Sequence, residues 1–597
     1  MKALKGILVY TALVLVSIVF IFALGVGFLY LSKNSTLFGY YFRNVSFEDK
    51  VHYKNAIPSD MERISIKVNT KNYGVVLLPI DSDANLEITT SSAYMGFLKA
   101  TVDPETQKKS AVVTPDQTIK AYSSVDSEGH KVYNIEITLI EQDGWLSYKK
   151  LNTMYIRLPF FHSASYDLNI TTGDKDIEFR AGERETKNAL TDAITKEVLP
   201  INVNSLKIKT NKGSAIIGNF GSSINVIEKN RSFENLDITT NGGTFDFTQF
   251  DSVTVTKGKL SLNSQNASYK FKKLEAQKGM EVIGKNVKFD ANEVVCGESG
   301  FLYKSTTGTL KIGTLNSTSR VKNTYEDGSY KYTQSGTTKV YENTIFTESA
   351  VVEIDEVLGK LGLGNKYGSV NIKHLTHQAS ITSENGDVTI GESGYYPMKG
   401  FTAEDREYSE TSSLIVYTTY GDIKVGEYYQ DGIFYSKKGS ITVNAITRYD
   451  ASNLPLIKGV RGSEGARYFY SEITSKDGKI TATTNGNPIR IVCTGDANVK
   501  LTVKKLFDSI DYASTESAGL LPTSFAENIP YYVSTKNGKI EAKLPIQSYL
   551  VLIEGKTSGE IGSVNSFSAE GTQIGVAKPN QPRVKITGKK IALTSNI

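Results

Sequence analysis

A short unit of alternating apolar and polar residues returns along most of the chain. It reads apolar, polar, apolar, then Thr or Ser, a polar pair, Gly, any residue, and again apolar, polar, apolar. Residues 381–390, 473–482 and 533–542 show the unit most plainly. Because successive side chains of a strand point to opposite faces, each half of the unit predicts a β-strand with one apolar face.

A glycine stands at the centre of each unit. Gly386, Gly478 and Gly538 each follow Asn or Asp, and this dipeptide predicts a tight turn in which the glycine has a positive φ. The same shape surrounds further glycines, namely Gly74, Gly213, Gly243, Gly258, Gly308, Gly368, Gly421 and Gly439. The chain is therefore predicted to be all-β, with glycine-centred turns between short strands.

The spacing of these glycines favours one of two all-β architectures. Gly368 and Gly386 are 18 residues apart, as are Gly421 and Gly439, and other intervals are 15 or 21 residues. One unit per coil would build a β-solenoid, a β-helix-like repeat domain in which coils stack at about 4.8 Å. The alternative is an array of β-sandwich or hairpin modules, in which each Asn-Gly closes a hairpin. The recurring 18-residue interval favours the solenoid.

The N-terminus carries a long apolar segment. Residues 7–31 include no charged side chain, and these 25 residues exceed the ~20 that cross a bilayer as a helix. Lys2 and Lys5 precede the segment and predict a cytoplasmic N-terminus, which leaves the bulk of the chain extracellular. A signal peptide cleaved near Gly25 is the alternative, but the apolar run continues to Leu31. We therefore predict a single-pass cell-membrane protein with an uncleaved signal-anchor.

These features divide the chain into four predicted parts. Residues 1–5 form a short cytoplasmic N-terminus, residues 6–32 the transmembrane signal-anchor, residues 33–60 a juxtamembrane spacer, and residues 61–597 the β-repeat domain. Insertions interrupt the repeat at Glu183–Pro200, Ser317–Asn343, Tyr395–Thr411, Asp450–Arg467 and Lys504–Ile529. The sequences of 183–200 and 504–510 are compatible with short helices. Because loops of a solenoid cluster along one edge, the insertions are candidate sites of function.

The stretch from Tyr155 to Asp174 adds a family resemblance. Residues 155–159 read Tyr-Ile-Arg-Leu-Pro, and residues 166–174 read Tyr-Asp-Leu-Asn-Ile-Thr-Thr-Gly-Asp. This order resembles the putative-adhesin family of bacterial surface proteins, formerly a domain of unknown function, and its style returns at Gly386 and Gly421. Through this degenerate pattern the resemblance covers most of residues 61–597, although the long insertions depart from it. It implies a β-helix-like fold and a surface role behind one membrane anchor, and it supplies no catalytic residues.

One insertion carries a candidate binding loop. Asp327-Gly328 lies between Tyr325 on one side and Tyr330 and Tyr332 on the other, which predicts a protruding hairpin with tyrosines on its arms. Exposed tyrosine is large and amphipathic and so suits contact with another molecule. We take these three tyrosines as candidate binding residues, with a solvated loop without function as the alternative.

Composition and charge leave the predicted architecture unchanged and bear only on partners, cysteines and cofactors. The chain has 68 basic and 63 acidic residues, and a net charge of +5 over 597 residues predicts no nucleic-acid partner. Cys296 and Cys493 lie far apart in sequence, which leaves open whether they form a disulfide or two buried thiols. No cofactor is predicted.

The chemical motifs are weak. His374 and His377 are the one close histidine pair, and their spacing on a strand would put the two rings on opposite faces, so no metal site is predicted. Gly555-Lys556-Thr557 lacks the earlier glycine of a phosphate-binding loop. The Gly-Asp pairs that end at Asp174, Asp387 and Asp422 fit ordinary turn chemistry.

Together these features predict a membrane-anchored surface protein, an adhesin or envelope scaffold that binds a cell-wall glycan or a surface protein and is not an enzyme. A polysaccharide-active enzyme on the same scaffold is the first alternative, because such enzymes need carboxylates that converge on one face. The acidic groups in question are Glu353, Asp355 and Glu356, and Glu404 with Asp405. A regulatory or envelope-stress partner of another membrane protein is the second alternative.

Overall fold

Strands dominate the structure. The computed structural model describes residues 11, 13–22, 24, 45–71, 73–80, 85–95, 101–102, 109–110, 116–140, 149–159, 164–180, 182–187, 194–199, 202–217, 230–324, 330–333, 339–394, 413–446, 470–506, 529–578 and 581–596. Residues 11, 13–22 and 24 are helical, and 42 strands follow along the rest of the described chain. The prediction of an all-β protein is confirmed.

The strands are numbered in chain order. The first fifteen are β1 (Val45–Asn55), β2 (Arg63–Thr70), β3 (Gly74–Ile80), β4 (Leu86–Met95), β5 (Thr101–Val102), β6 (Lys109–Ser110), β7 (Asp116–Val125), β8 (Lys131–Ile140), β9 (Lys149–Pro159), β10 (Ser165–Thr171), β11 (Ile177–Phe179), β12 (Gly182–Lys187), β13 (Ile194–Leu199), β14 (Val203–Thr210) and β15 (Ala215–Ile217). The next twelve are β16 (Asn230–Phe233), β17 (Asn235–Asp246), β18 (Ser252–Val255), β19 (Leu260–Ala276), β20 (Met280–Cys296), β21 (Phe301–Asn316), β22 (Val321–Thr324), β23 (Tyr330–Thr333), β24 (Glu342–Thr347), β25 (Val351–Leu358), β26 (Lys360–Asn365) and β27 (Val370–Leu375). The last fifteen are β28 (Ala379–Ser383), β29 (Val388–Ser393), β30 (Ser413–Thr418), β31 (Ile423–Tyr428), β32 (Asp431–Ser436), β33 (Ile441–Ile446), β34 (Ser471–Ser475), β35 (Ile480–Asn485), β36 (Ile489–Cys493), β37 (Val499–Lys505), β38 (Tyr531–Thr535), β39 (Lys539–Pro545), β40 (Tyr549–Gly559), β41 (Thr572–Ile574) and β42 (Arg583–Asn596).

Parallel pairing between non-consecutive strands generates the architecture. From β24 to β37 each strand pairs with the second strand after it, so β24, β26 and β28 belong to a first ladder and β25, β27 and β29 to a second. Leu361 lies opposite Ala379 and Leu414 opposite Gly432, which reproduces the 18-residue interval of the sequence. The long strands β19, β20 and β21 pair in parallel along their length and take part in both ladders. One strand from each ladder forms what we call a level.

The two ends of the stack are built differently from its middle. At the N-terminal end β7 pairs antiparallel with β8, and β1 and β9 pair antiparallel with β4. β8 and β9 then pair in parallel with β2 and β3. At the C-terminal end β42 pairs with β38 and β39 on one side and with β40 on the other. Strand β40 therefore forms the last level at this end of the stack.

Apolar side chains of equivalent positions share one interior. Strand β28 alternates buried and exposed residues along its whole length, as the sequence pattern predicts. One buried column of the first ladder consists of Ile345, Leu363, Ile381, Val416, Phe434, Ile473, Ile491 and Val533. Burying each such side chain contributes about 1.5–3 kcal/mol, so the stacked columns are the main source of stability.

Close backbone contact is the reason for glycine at the turns between the ladders. A Cβ on Gly386 would lie 1.9 Å from the carbonyl oxygen of Gly368, one level away. Gly478 and Gly538 face a neighbouring carbonyl oxygen at the same distance. None of Gly386, Gly478 and Gly538 has a positive φ, so that prediction is wrong at these positions. The Ser of the unit closes the turn, since Ser383 Oγ donates to the Gly386 carbonyl oxygen at 2.7 Å.

Three segments differ from the sequence predictions. Residues 504–510, considered compatible with a short helix, begin with Lys504 and Lys505 at the end of β37, and residues 507–510 lie outside the described part. Residues 183–200, considered compatible with a helix, contain the antiparallel pair β12 and β13, in whose register Arg184 lies opposite Glu197 and Glu185 opposite Lys196. Opposite charges that face each other across two strands favour their pairing. The prediction of a helix did not take these cross-strand charge pairs into account. Val45–Asn55, placed in the juxtamembrane spacer, forms β1 and pairs with β4, because its apolar residues alternate.

The N-terminal helix is short in the part of the chain that the structure describes. Its residues expose apolar side chains, from 47% for Val14 to 75% for Phe22. Across the described residues, no helix combines the length and the hydropathy that membrane crossing requires.

Candidate functional site

Parallel, in-register stacking brings residues that are 18 positions apart into lateral contact. Ile415 lies opposite Ile433, and Tyr417 lies opposite Tyr435, on the neighbouring strands β30 and β32. All four alternate with buried residues and so point to the outside of the first ladder. The same sequence offset that stacks apolar residues inside therefore stacks large side chains outside.

These side chains form an exposed aromatic patch, which we define as Ile415, Tyr417, Tyr420, Ile433 and Tyr435. Tyr417 and Tyr420 are 42% and 48% exposed, and the other three are partly exposed. The rings of Tyr417 and Tyr435 have centroids 5.9 Å apart. Contiguous exposed apolar surface with polar tips is typical of a contact site.

The patch has a basic edge and aromatic neighbours. Lys438 Nζ lies 5.2 Å from the centre of the Tyr420 ring, at the turn that follows β32. Phe346 lies on β24, three levels away from β30, and is exposed. Its ring lies against Gly364 of β26, where a Cβ would be 3.2 Å from the Phe346 Cδ1 atom. Tyr367 at the next turn is 51% exposed and lies under Lys366 Nζ, 4.9 Å from its ring centre. Flat rings flanked by ammonium groups suit a ligand with an apolar face and hydroxyl groups around it.

The structure places the tyrosines of the candidate binding loop differently. The predicted hairpin is confirmed, since β22 and β23 pair antiparallel with Thr324 opposite Tyr330. Tyr325 and the Asp327-Gly328 turn lie outside the described residues, as does the side chain of Tyr330. Tyr332 is 2% exposed, and its hydroxyl donates to Glu356 Oε2 at 2.7 Å. The expectation of an exposed Tyr332 is therefore wrong, because the side chain is held by a carboxylate of β25.

Four of the predicted insertions leave the stack at one corner. Those at 317–343, 395–411, 450–467 and 504–529 follow β21, β29, β33 and β37. The ends of these strands lie in one column, which runs through Leu315, Val357, Leu375, Ser393, Tyr428, Ala445, Thr484 and Val503. Most residues of the last three insertions lie outside the described part. The register shows that the strands before these insertions end along one edge of the stack.

A charged cluster lies beside the N-terminal levels. The Arg63 guanidinium is 3.8 Å from Asp126, 3.3 Å from Glu128 and 3.6 Å from Glu234, measured to the nearest carboxylate oxygens. Lys257 Nζ lies 2.9 Å from Glu234 and 3.5 Å from Glu128. Two cations thus meet three carboxylates, and sequence reasoning missed this cluster because its members come from distant segments.

Two further groups of the cluster bear on its chemistry. His130 Nδ1 is 3.1 Å from Asp126 Oδ2, and Asp126, Glu128 and His130 are close enough together to hold one cation. The same carboxylates already contact Arg63, so charge compensation within the protein accounts for them. Burial raises the pKa of Asp167, whereas the positive charge of Arg63 opposes that rise.

The two histidines of the close pair do not converge. His374 Nδ1 lies 3.3 Å from Glu392 Oε2 at a half-exposed position of the second ladder. His377 is buried, and its Nδ1 accepts from the Gly359 N–H at 3.2 Å. Burial lowers the pKa of His377 to about 3, and the positive charges of Arg320 and Lys360 act in the same direction. His377 is therefore a neutral core residue.

The remaining motifs have structural roles. Cys296 and Cys493 are both free and buried, and burial raises the pKa of the Cys493 thiol to about 12. Asp387 Oδ1 accepts from the Asp422 N–H at 2.9 Å, so the Gly-Asp pair joins adjacent levels, in agreement with the turn reading. Lys556 lies within β40, in agreement with the rejection of a phosphate-binding loop.

The acidic groups considered for catalysis are partly paired. Asp355 is 2.7 Å from Lys373 Nζ on the adjacent level. Glu356 is 7% exposed and accepts from Tyr332. Glu404 and Asp405 lie outside the described residues.

Comparisons with known proteins give one remote match and no family. No family model matches the chain, and no curated protein matches it. Among solved structures the chain is similar to the crystal structure of a putative cell adhesion protein from Clostridium sporogenes ATCC 15579. The identity is 12%, the match covers 44% of this chain and 100% of that chain, and the TM-score is 0.17.

Proposed function

We propose that this chain is a membrane-anchored surface protein that binds a cell-wall glycan and is not an enzyme. The observation that carries the proposal is the aromatic patch, in which Tyr417 and Tyr435 lie side by side on adjacent levels. The apolar faces of sugar rings pack on flat aromatic rings, and the phenol and ammonium groups around them donate to sugar hydroxyls. Rigid strands hold these groups in place before the ligand arrives, which lowers the entropic cost of binding.

The patch belongs to a rod in this proposal. Successive parallel levels with a shared interior support a β-solenoid of the kind implied by the putative-adhesin resemblance, rather than an array of modules. Stacking ~18 levels at ~4.8 Å gives a rod about 80–90 Å long. Such a rod would hold the aromatic patch away from the membrane.

The anchor is proposed on residues 6–32. The uncharged run of residues 7–31 and the exposed apolar side chains of helical residues 13–22 support it. The N-terminus would be cytoplasmic and the β-repeat domain extracellular. Replacing Leu15 and Phe20 by Arg should move the chain out of the membrane fraction of an expressing bacterium, and unchanged membrane association would contradict the anchor.

Binding is tested with the full chain in an uncharged detergent and insoluble peptidoglycan. Tyr417→Ala combined with Tyr435→Ala should weaken binding by about tenfold or more, since two stacking surfaces are removed. Tyr122→Ala is the matched control, because Tyr122 is 48% exposed on β7 and lies outside the patch. Equal binding by the double variant and the wild type would contradict the proposal, and so would an equal loss in the control.

The charged cluster favours a second candidate, a polysaccharide-active enzyme. Its carboxylates converge with Arg63 and Lys257, and the raised pKa of Asp167 is a property of general acids. Release of reducing ends from soluble glycans by the wild type, abolished in Asp167→Asn, would establish this activity. Ion pairing between Arg63, Lys257 and these carboxylates supports a structural role for the cluster instead, which agrees with the binding proposal.

A further inference from the structure

Exposed lysines occupy the outer side of the second ladder at four consecutive levels. Lys479 precedes β35, Lys500 lies on β37, Lys539 and Lys543 lie on β39, and Lys590 lies on β42. Lys539 is directly opposite Lys590, and Asn498, beside Lys500, accepts from the Lys539 N–H. Each of these four levels contributes at least one lysine, and successive levels are about 4.8 Å apart. We call these five residues the lysine face.

Most members of this face lack a carboxylate partner. Some lysines elsewhere in the stack pair with an acid of the adjacent level, as in Lys207–Asp237 at 3.1 Å, Lys273–Glu293 at 3.3 Å and Lys373–Asp355 at 2.7 Å. Among the described residues, Lys479, Lys500, Lys543 and Lys590 form no ion pair. Unpaired cations on neighbouring levels repel one another, so the face is complementary to a polyanion.

A carboxylate lies among these lysines, and its pKa responds to their positive charges. Glu541 lies opposite Lys500, and its Oε1 accepts from Lys539 Nζ at 2.8 Å. The hydrogen bond from Lys539 lowers the pKa of Glu541, and the charges of Lys500 and Lys479 lower it further. Three lysines therefore act together on one point of the face.

Neutral hydrogen-bonding groups fill the space between the lysines. Thr481 lies opposite Lys500, and Thr502 lies opposite Lys543. Hydroxyl groups at these positions suit a ligand that carries hydroxyls between its charges.

We propose that the lysine face binds a linear acidic polysaccharide, with sugar carboxylates on the lysines and sugar hydroxyls on the threonines. This inference rests on the proposed function and names the chemical class of a ligand for a second face of the same stack. A chain of sugars, each roughly as long as one level is high, would lie along the stack axis.

A competing occupant exists within the chain. Residues 507–528 follow Leu506 and carry Asp508, Asp511, Glu516 and Glu527 but no lysine or arginine. If these carboxylates cover the lysine face, replacing them by Asn or Gln should raise polysaccharide affinity several-fold. That result would overturn the proposal that an acidic polysaccharide is the resident ligand.

The test uses the full chain in an uncharged detergent and immobilised polygalacturonate. Lys500→Glu combined with Lys543→Glu should weaken binding by at least about tenfold, and wild-type affinity should fall as salt rises. Lys288→Glu combined with Lys311→Glu is the matched control, because it makes the same change of net charge on earlier levels, where Asp290 and Glu353 flank Lys311. The control should bind within about twofold of the wild type.

Three other outcomes would overturn the inference. An equal loss in both double variants would mean that only net charge matters. Equal affinity for polyphosphate of matched charge would mean that the face does not recognise sugars. Absence of wild-type binding to polygalacturonate would contradict the inference that the lysine face binds an acidic polysaccharide. The proposed function would still stand if peptidoglycan binding depended on Tyr417 and Tyr435.

Discussion

Glycine at the turns between the ladders is a packing requirement at the scale of single residues. A Cβ on Gly386 would collide with the carbonyl oxygen of Gly368. A Cβ on Gly421 would in turn lie 2.1 Å from the carbonyl oxygen of Gly386. Any side chain there must push two levels apart, since the clash is with backbone and not with a movable side chain. The repeat therefore keeps glycine where an isolated turn would tolerate Asn or Asp.

Gly386→Ala should destabilise the protein by about 2–3 kcal/mol, the cost of overpacking in a rigid interior. Gly362→Ala is the control, because its Cβ would meet no atom closer than 3.7 Å, at the outer side of β26. Urea unfolding followed by circular dichroism measures both. Equal unfolding midpoints for the two variants would contradict close packing of the turns.

The buried His377 predicts a pH dependence of stability. Its pKa is lowered to about 3, whereas an unfolded histidine titrates near 6.5, so the unfolded state binds a proton first as pH falls. The stability that comes from keeping His377 neutral is fully present above pH ~6.5 and is lost as the pH falls from there to ~3. Within that range the folding equilibrium constant decreases by roughly a factor of ten per pH unit. His377→Asn, which keeps an acceptor for the Gly359 N–H, should show a weaker decline between pH 7 and pH 5.

The control for this effect is His374→Asn, because His374 lies on β27, three residues before His377, and is half-exposed. Unfolding midpoints at pH 7 and pH 5 give the comparison. If His377→Asn and the wild type lose stability in parallel, the buried imidazole does not set the acid sensitivity.

At the scale of elements, the insertions follow strand ends at one corner of the stack. This position explains how strands pair in a constant register although the sequence intervals between the turn glycines differ. Gly386 and Gly421 are 35 residues apart, yet β29 and β31 pair in the same register as β27 and β29. The extra residues enter where one level ends and the next begins. Loop length has a small entropic cost there, and register is unaffected.

Removing Tyr395–Thr411 should therefore leave a folded protein, because it restores the 18-residue interval between Gly386 and Gly421. Far-UV circular dichroism and the thermal midpoint should stay close to the wild type. Deleting Val370–Gln378, which removes β27, is the contrasting variant and should abolish cooperative unfolding. Loss of structure in both deletions would show that the insertion supports the stack.

Local pattern predicted the strands but not their partners. Residues 381–390 alternate as expected, and β28 and β29 form at the expected places. The dipeptide Asn385-Gly386 is compatible both with a hairpin and with a turn between two ladders. Which of the two forms depends on pairing with strands that are 18 or more residues away. Buried Tyr332 escaped prediction for the same reason, as its partner Glu356 lies on another element.

The candidate site was within reach of sequence reasoning. Ile415 to Ile433 and Tyr417 to Tyr435 repeat the 18-residue interval of Gly421 to Gly439. Applying that interval to outward positions would have placed the tyrosines side by side. The charged cluster around Arg63 had no such signal, since β2, β8 and the turn before β17 are joined only by long-range pairing.

At the scale of the whole molecule, the strand register places different sets of side chains on different outer faces of the stack. The outer side of the first ladder carries the aromatic patch, and the outer side of the second carries the lysine face. Both faces and the insertion corner depend on the same parallel stacking over many levels. The binding that we propose would accordingly be a property of the stack rather than of any single loop.

Distances between spin labels on one outer column test this stacking most directly. Asp290, Glu353 and Glu541 are exposed members of one column, with Glu353 seven levels and Asp290 nine levels from Glu541. Pulsed electron paramagnetic resonance on the full chain should give narrow distances of about 34 Å for Glu353–Glu541 and about 43 Å for Asp290–Glu541. Broad distributions, or distances that grow with the number of intervening residues instead of levels, would contradict the account.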